Sequence, residues 1–268
     1  MPPASVPQKG CCGAVQRATI TMKYTGESDE SYDDIISDAR KFHAAHGTGI
    51  LYDAENDNVL DDNNIDDDTH IDVFAHGNSG QVGDHSPEQL RTFLNSKLGK
   101  LGVQTIESVK LHSCDSNADP GDGTKRFAQR MFQGYLDELH MVEVSGFDGH
   151  AVTDSSGTSR VLKNPAQEQA YRRAMKPRVG VPFDANAVET QYLKGEGTGM
   201  GSYGYDEASE YLEGIVPLKN AWTVGAIRTQ LNARREWLQE EDEAPDILEF
   251  ESLEDLESRI PRSIAIVR

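Results

Sequence analysis

Two apolar runs of similar make-up each end on a side chain that can do chemistry. Residues 71–75 lead into His76 and Gly77, and residues 108–111 lead through His112 and Ser113 to Cys114. A thiol beside an imidazole is a nucleophile with its base: the imidazole takes the thiol proton, and the thiolate attacks a carbonyl carbon. Gly77 meets a further need of that reaction. With no side chain after His76, the Gly77 N–H can face the reacting carbonyl and, with the N–H of Cys114, form an oxyanion hole, each donor lowering the barrier by about 3 kcal/mol. His112 shares a strand face with Cys114 and reads as structural. Asp72 also lies on the face of His76, but four residues back along the strand. It is too far away to orient that imidazole, so the reading is a dyad without a third member.

The elements that must position these groups follow from the pattern on either side. Residues 17–25 have strand composition, and residues 28–47 read as a helix with an acidic start, apolar Tyr32, Ile35, Ile36, Ala39 and Phe42, and Gly47 to end it. Residues 48–53 are a second short strand, and the dense acidic stretch 53–68 reads as a surface loop. The third strand runs to His76. Ser86 caps a helix over residues 86–102 with Pro87 in its first turn, and a fourth strand runs to Cys114. Residues 123–140 are helical and residues 141–149 a fifth strand. Strands alternating with helices predict an α/β fold, a mostly parallel sheet with helices on both faces. Ligands in such sheets sit beyond the carboxyl ends of the strands, where His76 and Cys114 fall.

Past residue 150 the pattern gives a hairpin over 150–164 with its turn at 155–157, a short helix over 165–177 ended by Pro177, and a glycine-rich loop over 194–207. Helical stretches follow at 224–243 and 252–260. The expected organisation is a flexible arm (1–16), a catalytic core (17–163), and a C-terminal part (164–268) that partly completes the core and partly forms a mainly helical extension.

Bulk properties exclude several functions. The 268 residues carry a formal charge of −19, a field that repels nucleic-acid phosphates and anionic membranes. No apolar run reaches the roughly 18 residues of a membrane span, and the N-terminus lacks a basic segment followed by an apolar core. Three cysteines, two of them adjacent, make a poor disulfide framework and fit a reducing compartment. The expected location is cytoplasmic, or secreted without a classical signal peptide and acting in a host cytosol. Pro120 stands where a cysteine phosphatase would need arginine. Asn58 stands where an EF-hand loop starting at Asp53 would need glycine. Residues 194–207 lack the order of a phosphate-binding loop. No metal and no cofactor is expected.

An apolar strand ending in His-Gly, a helix, and an apolar strand ending in Ser-Cys with an acidic residue after it resemble the caspase-like superfamily of cysteine peptidases. That group includes caspases, legumain, clostripain, metacaspases and the autoprocessing domains of large bacterial toxins. The segments AHGNSG and HSCDS carry the likeness, which covers about residues 17–150. It implies a His76–Cys114 dyad, Gly77 at the oxyanion hole, and peptide-bond hydrolysis in a protein substrate or in the chain itself, as in an effector or toxin. The pocket for the residue before the cut is expected from Ser145 to Asp148 and the loop to Thr158. Asp115 and Asp148 there would suit a basic side chain, as in clostripain-like relatives, against an apolar pocket that takes Leu. The toxin domains bind inositol hexakisphosphate, and Arg172, Arg173 and Lys176 form the basic cluster that could receive such an activator. The alternatives are a catalytically inactive caspase-like binding protein and a thiol acyl-transfer enzyme.

Overall fold

The computed structural model describes residues 16–46, 49–62, 69–101, 103, 105–137, 140, 142–177, 182–194, 196, 199–204 and 264–265. In chain order the strands and helices are β1 (Gln16–Met22), α1 (Asp29–His46), β2 (Gly49–Asp53), β3 (Asn58–Asp62), β4 (Thr69–Ala75), α2 (Pro87–Lys100), β5 (Thr105–Ile106), β6 (Ser108–His112), α3 (Phe127–Asp137) and β7 (Glu143–Phe147). They continue with β8 (His150–Thr153), β9 (Ser159–Leu162), α4 (Pro165–Met175), α5 (Ala185–Leu193), β10 (Met200–Tyr203) and β11 (Ile264–Ala265), the last paired with β5.

Seven strands form the central sheet in the order β10-β7-β6-β4-β1-β2-β3. The inner five are parallel, and β3 and β10 close the two edges antiparallel. Period-two alternation decides what each face receives. Ile71, Val73 and Ala75 join Leu90, Leu94 and Leu98 of α2 and Phe127, Met131 and Tyr135 of α3 in the larger core. Leu51 and Phe74 point the other way and pack on Tyr32, Ile35, Ala39 and Phe42 of α1. Helices therefore cover both faces, as expected. Ser86 caps α2 with a reciprocal capping box to Gln89, which fixes the chain direction after the His76 loop.

The chain leaves β1 towards β2 on one side and returns to β4 on the other, so the sheet changes direction between β1 and β4. A crevice opens at the carboxyl ends of strands at such a point. Beside it sits a lobe made of the β8–β9 hairpin, α4 and α5, with Val152, Leu162, Tyr171 and Leu193 as its own core. Lys41 of α1 donates to the Thr153 carbonyl at 3.1 Å, and Arg172 of α4 reaches Asp38 of α1 at 3.1 Å. Gly157 at the hairpin tip has φ +80°, and a Cβ there would collide with Ala45 of α1.

Two expected loops contain strands instead. Residues 58–62 of the acidic stretch pair with β2, and residues 200–203 of the glycine-rich stretch pair with β7. Both are edge strands, where charge and glycine are tolerated because one side has no neighbour to satisfy. The helix expected over 123–140 begins at Phe127, after Asp122 turns its carboxylate onto the Thr124 N–H. Residues 1–15 of the expected arm and the helical stretches at 224–243 and 252–260 lie outside the described residues. Among the described residues no helix is long and apolar enough to cross a membrane.

Candidate active site at the carboxyl ends of β4 and β6

His76 follows β4 directly, at the point where the sheet changes direction. The turn after β1 and the first turn of α1 each bring a partner to it. Ser31 Oγ is 2.8 Å from His76 Nε2, and Glu27 Oε1 is 3.0 Å from the same nitrogen. The Glu27 side chain is fully buried, and its Oε2 accepts the Tyr24 N–H at 3.2 Å. Tyr24 also sets its ring edge against the imidazole. A carboxylate and a hydroxyl on Nε2 leave Nδ1 as the nitrogen free to exchange a proton. Glu27 thus stands beside His76, where the sequence reading placed no third group.

Gly77 and Val82 face each other across a tight loop, with hydrogen bonds from Asn78 N–H to the Gln81 carbonyl and from Gly83 N–H to the His76 carbonyl. A Cβ at Gly77 would run into Ser113 Oγ and the Gln81 carbonyl. Packing against the Cys114 loop therefore requires the glycine, independently of any reaction. The two N–H groups expected to hold an oxyanion, those of Gly77 and Cys114, make no hydrogen bond within the described residues.

Cys114 lies two residues past β6, and it is buried. Burial pushes its thiol up to about 12, and the Glu168 charge adds to this against the opposing Ala151 N–H and Arg172. The sulfur is therefore a neutral thiol at rest, under the start of β8 and the side of α4. His76, Cys114, His112, Thr153, Ser159 and Arg172 line one small cavity. A ring nitrogen of His150, a carboxylate oxygen of Glu168 and the Cys114 sulfur all lie within 4.8 Å of one another. His150 Nδ1 is 3.0 Å from Glu168 Oε2, and Glu168 Oε1 accepts from Arg172 at 2.8 Å.

Asp115, next after the thiol, has φ +55°, a left-handed conformation that aspartate tolerates better than most side chains. This turns the chain so that Asp115 N–H reaches the Gly149 carbonyl and Asn117 N–H the Phe147 carbonyl, both at 2.9 Å. Asn117 Nδ2 in turn donates to Asp148 at 2.9 Å. Asp115 and Asp148 are therefore at the same end of the sheet as Cys114, and neither has an ion-pair partner among the described residues. Ser145 is elsewhere. It pairs with Lys110, four residues before Cys114 on β6, so it lies ~13 Å down the strands.

Between those levels runs a closed polar network. Asp72 Oδ1 meets His112 Nε2 at 2.8 Å, its Oδ2 meets Arg17 at 3.0 Å, and His112 Nδ1 meets Ser159 Oγ at 2.7 Å. Asp72 does not reach His76, as expected from its place on β4. Burial alone would raise the Asp72 carboxyl, but the hydrogen bond from His112 and the nearby positive charge hold it below the usual range. Burial holds His112 low, in its neutral form.

The basic cluster expected to take a phosphate is already neutralised in large part. Arg172 is held by Asp38 and Glu168, and Lys176 by Glu30 and Asp34, while Arg173 is exposed. Each of the two engaged cations has two carboxylates at hand, which oppose a polyphosphate.

Nothing in the local sequence marks Glu27, Ser31, His150 or Glu168. They reach the site from a turn, a helix, a hairpin and another helix, and only the tertiary fold brings them together. Comparison of the chain with protein-family models finds none that matches, and comparison with curated proteins finds none that is similar.

Proposed function

We propose that the chain is a cysteine endopeptidase of the caspase-like kind, with Cys114 as nucleophile and His76 as base and then acid to the leaving amine. The observation that carries this reading is the cavity that His76 and Cys114 both line at adjacent strand ends. The α/β architecture is consistent with that family. Glu27 and Ser31 orient the imidazole, and the Gly77 and Cys114 N–H groups receive the developing oxyanion. Because the thiol is buried and neutral, its proton must leave to Nδ1 as substrate enters, or after the β8–β9 lobe shifts. Asp115 and Asp148 favour a basic side chain before the scissile bond.

The test is mass spectrometry of the chain and of a protein substrate mixture after incubation, wild type against Cys114→Ala and His76→Ala. New peptide termini made by wild type alone are expected, in the substrate or in the chain itself. Unchanged products from either variant, with native circular dichroism, overturn the reading. One observation favours a second assignment of the base: His150, held by Glu168, also stands near the sulfur. If so, His150→Ala, and not His76→Ala, stops the reaction.

A further inference from the structure

We infer that Cys114, His150 and Glu168 form a binding site for a thiophilic divalent cation, with zinc the ion that fits best. Thiolate, imidazole and carboxylate are the donors zinc takes, and the cluster supplies one of each. The donors come from three separate elements: the loop after β6, the first residue of β8, and α4. Zinc bonds of about 2.0–2.3 Å put neighbouring donors of a tetrahedron ~3.4 Å apart. All three atoms already lie within 4.8 Å of each other, and His150 and Glu168 are at 3.0 Å, so closure changes donor separations by no more than about 1.4 Å.

The charges also balance. The thiol releases its proton to solvent on binding, so thiolate and Glu168 together cancel the two charges of the ion. Arg172, the cation next to Glu168, is itself offset by Asp38. His76 is not among the three ligands. A bound ion would occupy the sulfur that the proposed peptidase reaction needs, so the metal-bound form is inactive in that reaction. The metal site does not depend on peptide hydrolysis being the function, because its donors are there in either case.

Cobalt(II) reports such a site through the near-ultraviolet charge-transfer band of a cobalt–thiolate bond. The protein is the untagged full chain with Cys11→Ser and Cys12→Ser, which leaves Cys114 as the one thiol. One equivalent of cobalt should give the band, and one equivalent of zinc should abolish it. Cys114→Ser should remove it, His150→Ala and Glu168→Gln should each weaken binding about tenfold or more, and His76→Ala should keep it. Absence of the band in the parent protein overturns the inference without any ligand variant. So does a band that survives unchanged in both His150→Ala and Glu168→Gln, or one that His76→Ala removes. Proteolysis is not read in any arm, so failure here and failure of the peptidase reading are separate results.

Discussion

Two histidines one level apart on the same face of the sheet have opposite surroundings. His112, on β6, has both ring nitrogens taken, by Asp72 and Ser159, and lies flat on Phe74 at 4.1 Å. His76, just past β4, has Nε2 beside Ser31 and Glu27 and lines a cavity with Cys114, while the Gly77 and Cys114 N–H groups make no hydrogen bond among the described residues. Asp–His–Ser in the first cluster has the composition of a catalytic triad, yet every polar group in it is buried and matched. It fastens β1, β4, β6 and the β8–β9 hairpin together. Composition alone therefore does not distinguish the two clusters, and the proposed site differs in having hydrogen-bonding capacity left unspent near a thiol among the described residues.

Variants that hit one cluster at a time break or sharpen that contrast. The largest effect is expected from His76→Ala, a loss of about 10²–10⁴-fold in kcat with the thermal midpoint nearly unchanged, because the group is half-exposed and its proposed role is proton transfer. Steady-state cleavage beside a thermal melt checks both halves. Asp72→Ala should do the reverse, destabilising by about 1–3 kcal/mol because the buried His112 Nε2 loses its partner and the part-exposed Arg17 loses its ion pair. Denaturant unfolding measures this, and a midpoint equal to wild type would mean that the network is not what holds the sheet to the hairpin.

A smaller change is expected from Glu27→Gln, which keeps the shape of the side chain but removes the charge beside Nε2. About a tenfold loss in kcat is expected with KM unaltered, as an orienting group removes only part of the contribution of the base it serves.

The smallest effect is on acid stability. Both Asp72 and His112 have folded-state values below their unfolded ones. For each, the unfolded chain binds the extra proton as pH falls, so stability is full at neutral pH. It declines first below about 6.5 through His112 and again below about 4 through Asp72. Thermal midpoints from pH 8 down to pH 5 should therefore fall, and His112→Gln should flatten the first part of that slope. An equally steep slope in the variant would place the titrating group elsewhere.

The strand ends were legible because an apolar run that stops on a reactive side chain is a local signal. His76, Gly77 and Cys114 can be read from it, and the alternation of strand and helix gives the sheet they stand on. Ser86 was legible as a cap for the same reason. Glu27 was not, since it lies in a short turn before α1 and becomes a partner of His76 only because β1 and β4 are neighbours. His150 and Glu168 meet only after the hairpin folds back against α4. The two edge strands were hidden by their composition, as backbone pairing on one side does not require apolar side chains facing water. Lys176 and Arg172 read as a basic cluster along the chain, but α1 supplies the carboxylates Glu30, Asp34 and Asp38 that neutralise them in space.

The central claim is that His76 makes a nucleophile of Cys114, and a peptidyl electrophile that reacts only with an attacking thiolate tests it most directly. The full chain is incubated with an arginine-ended acyloxymethyl ketone at neutral pH, digested, and mapped by mass spectrometry. Expected is labelling of Cys114 ahead of Cys11 and Cys12, suppressed by competing substrate, and slowed about 10²–10⁴-fold in His76→Ala. Labelling confined to Cys11 and Cys12, or a Cys114 rate that His76→Ala leaves unchanged, contradicts it.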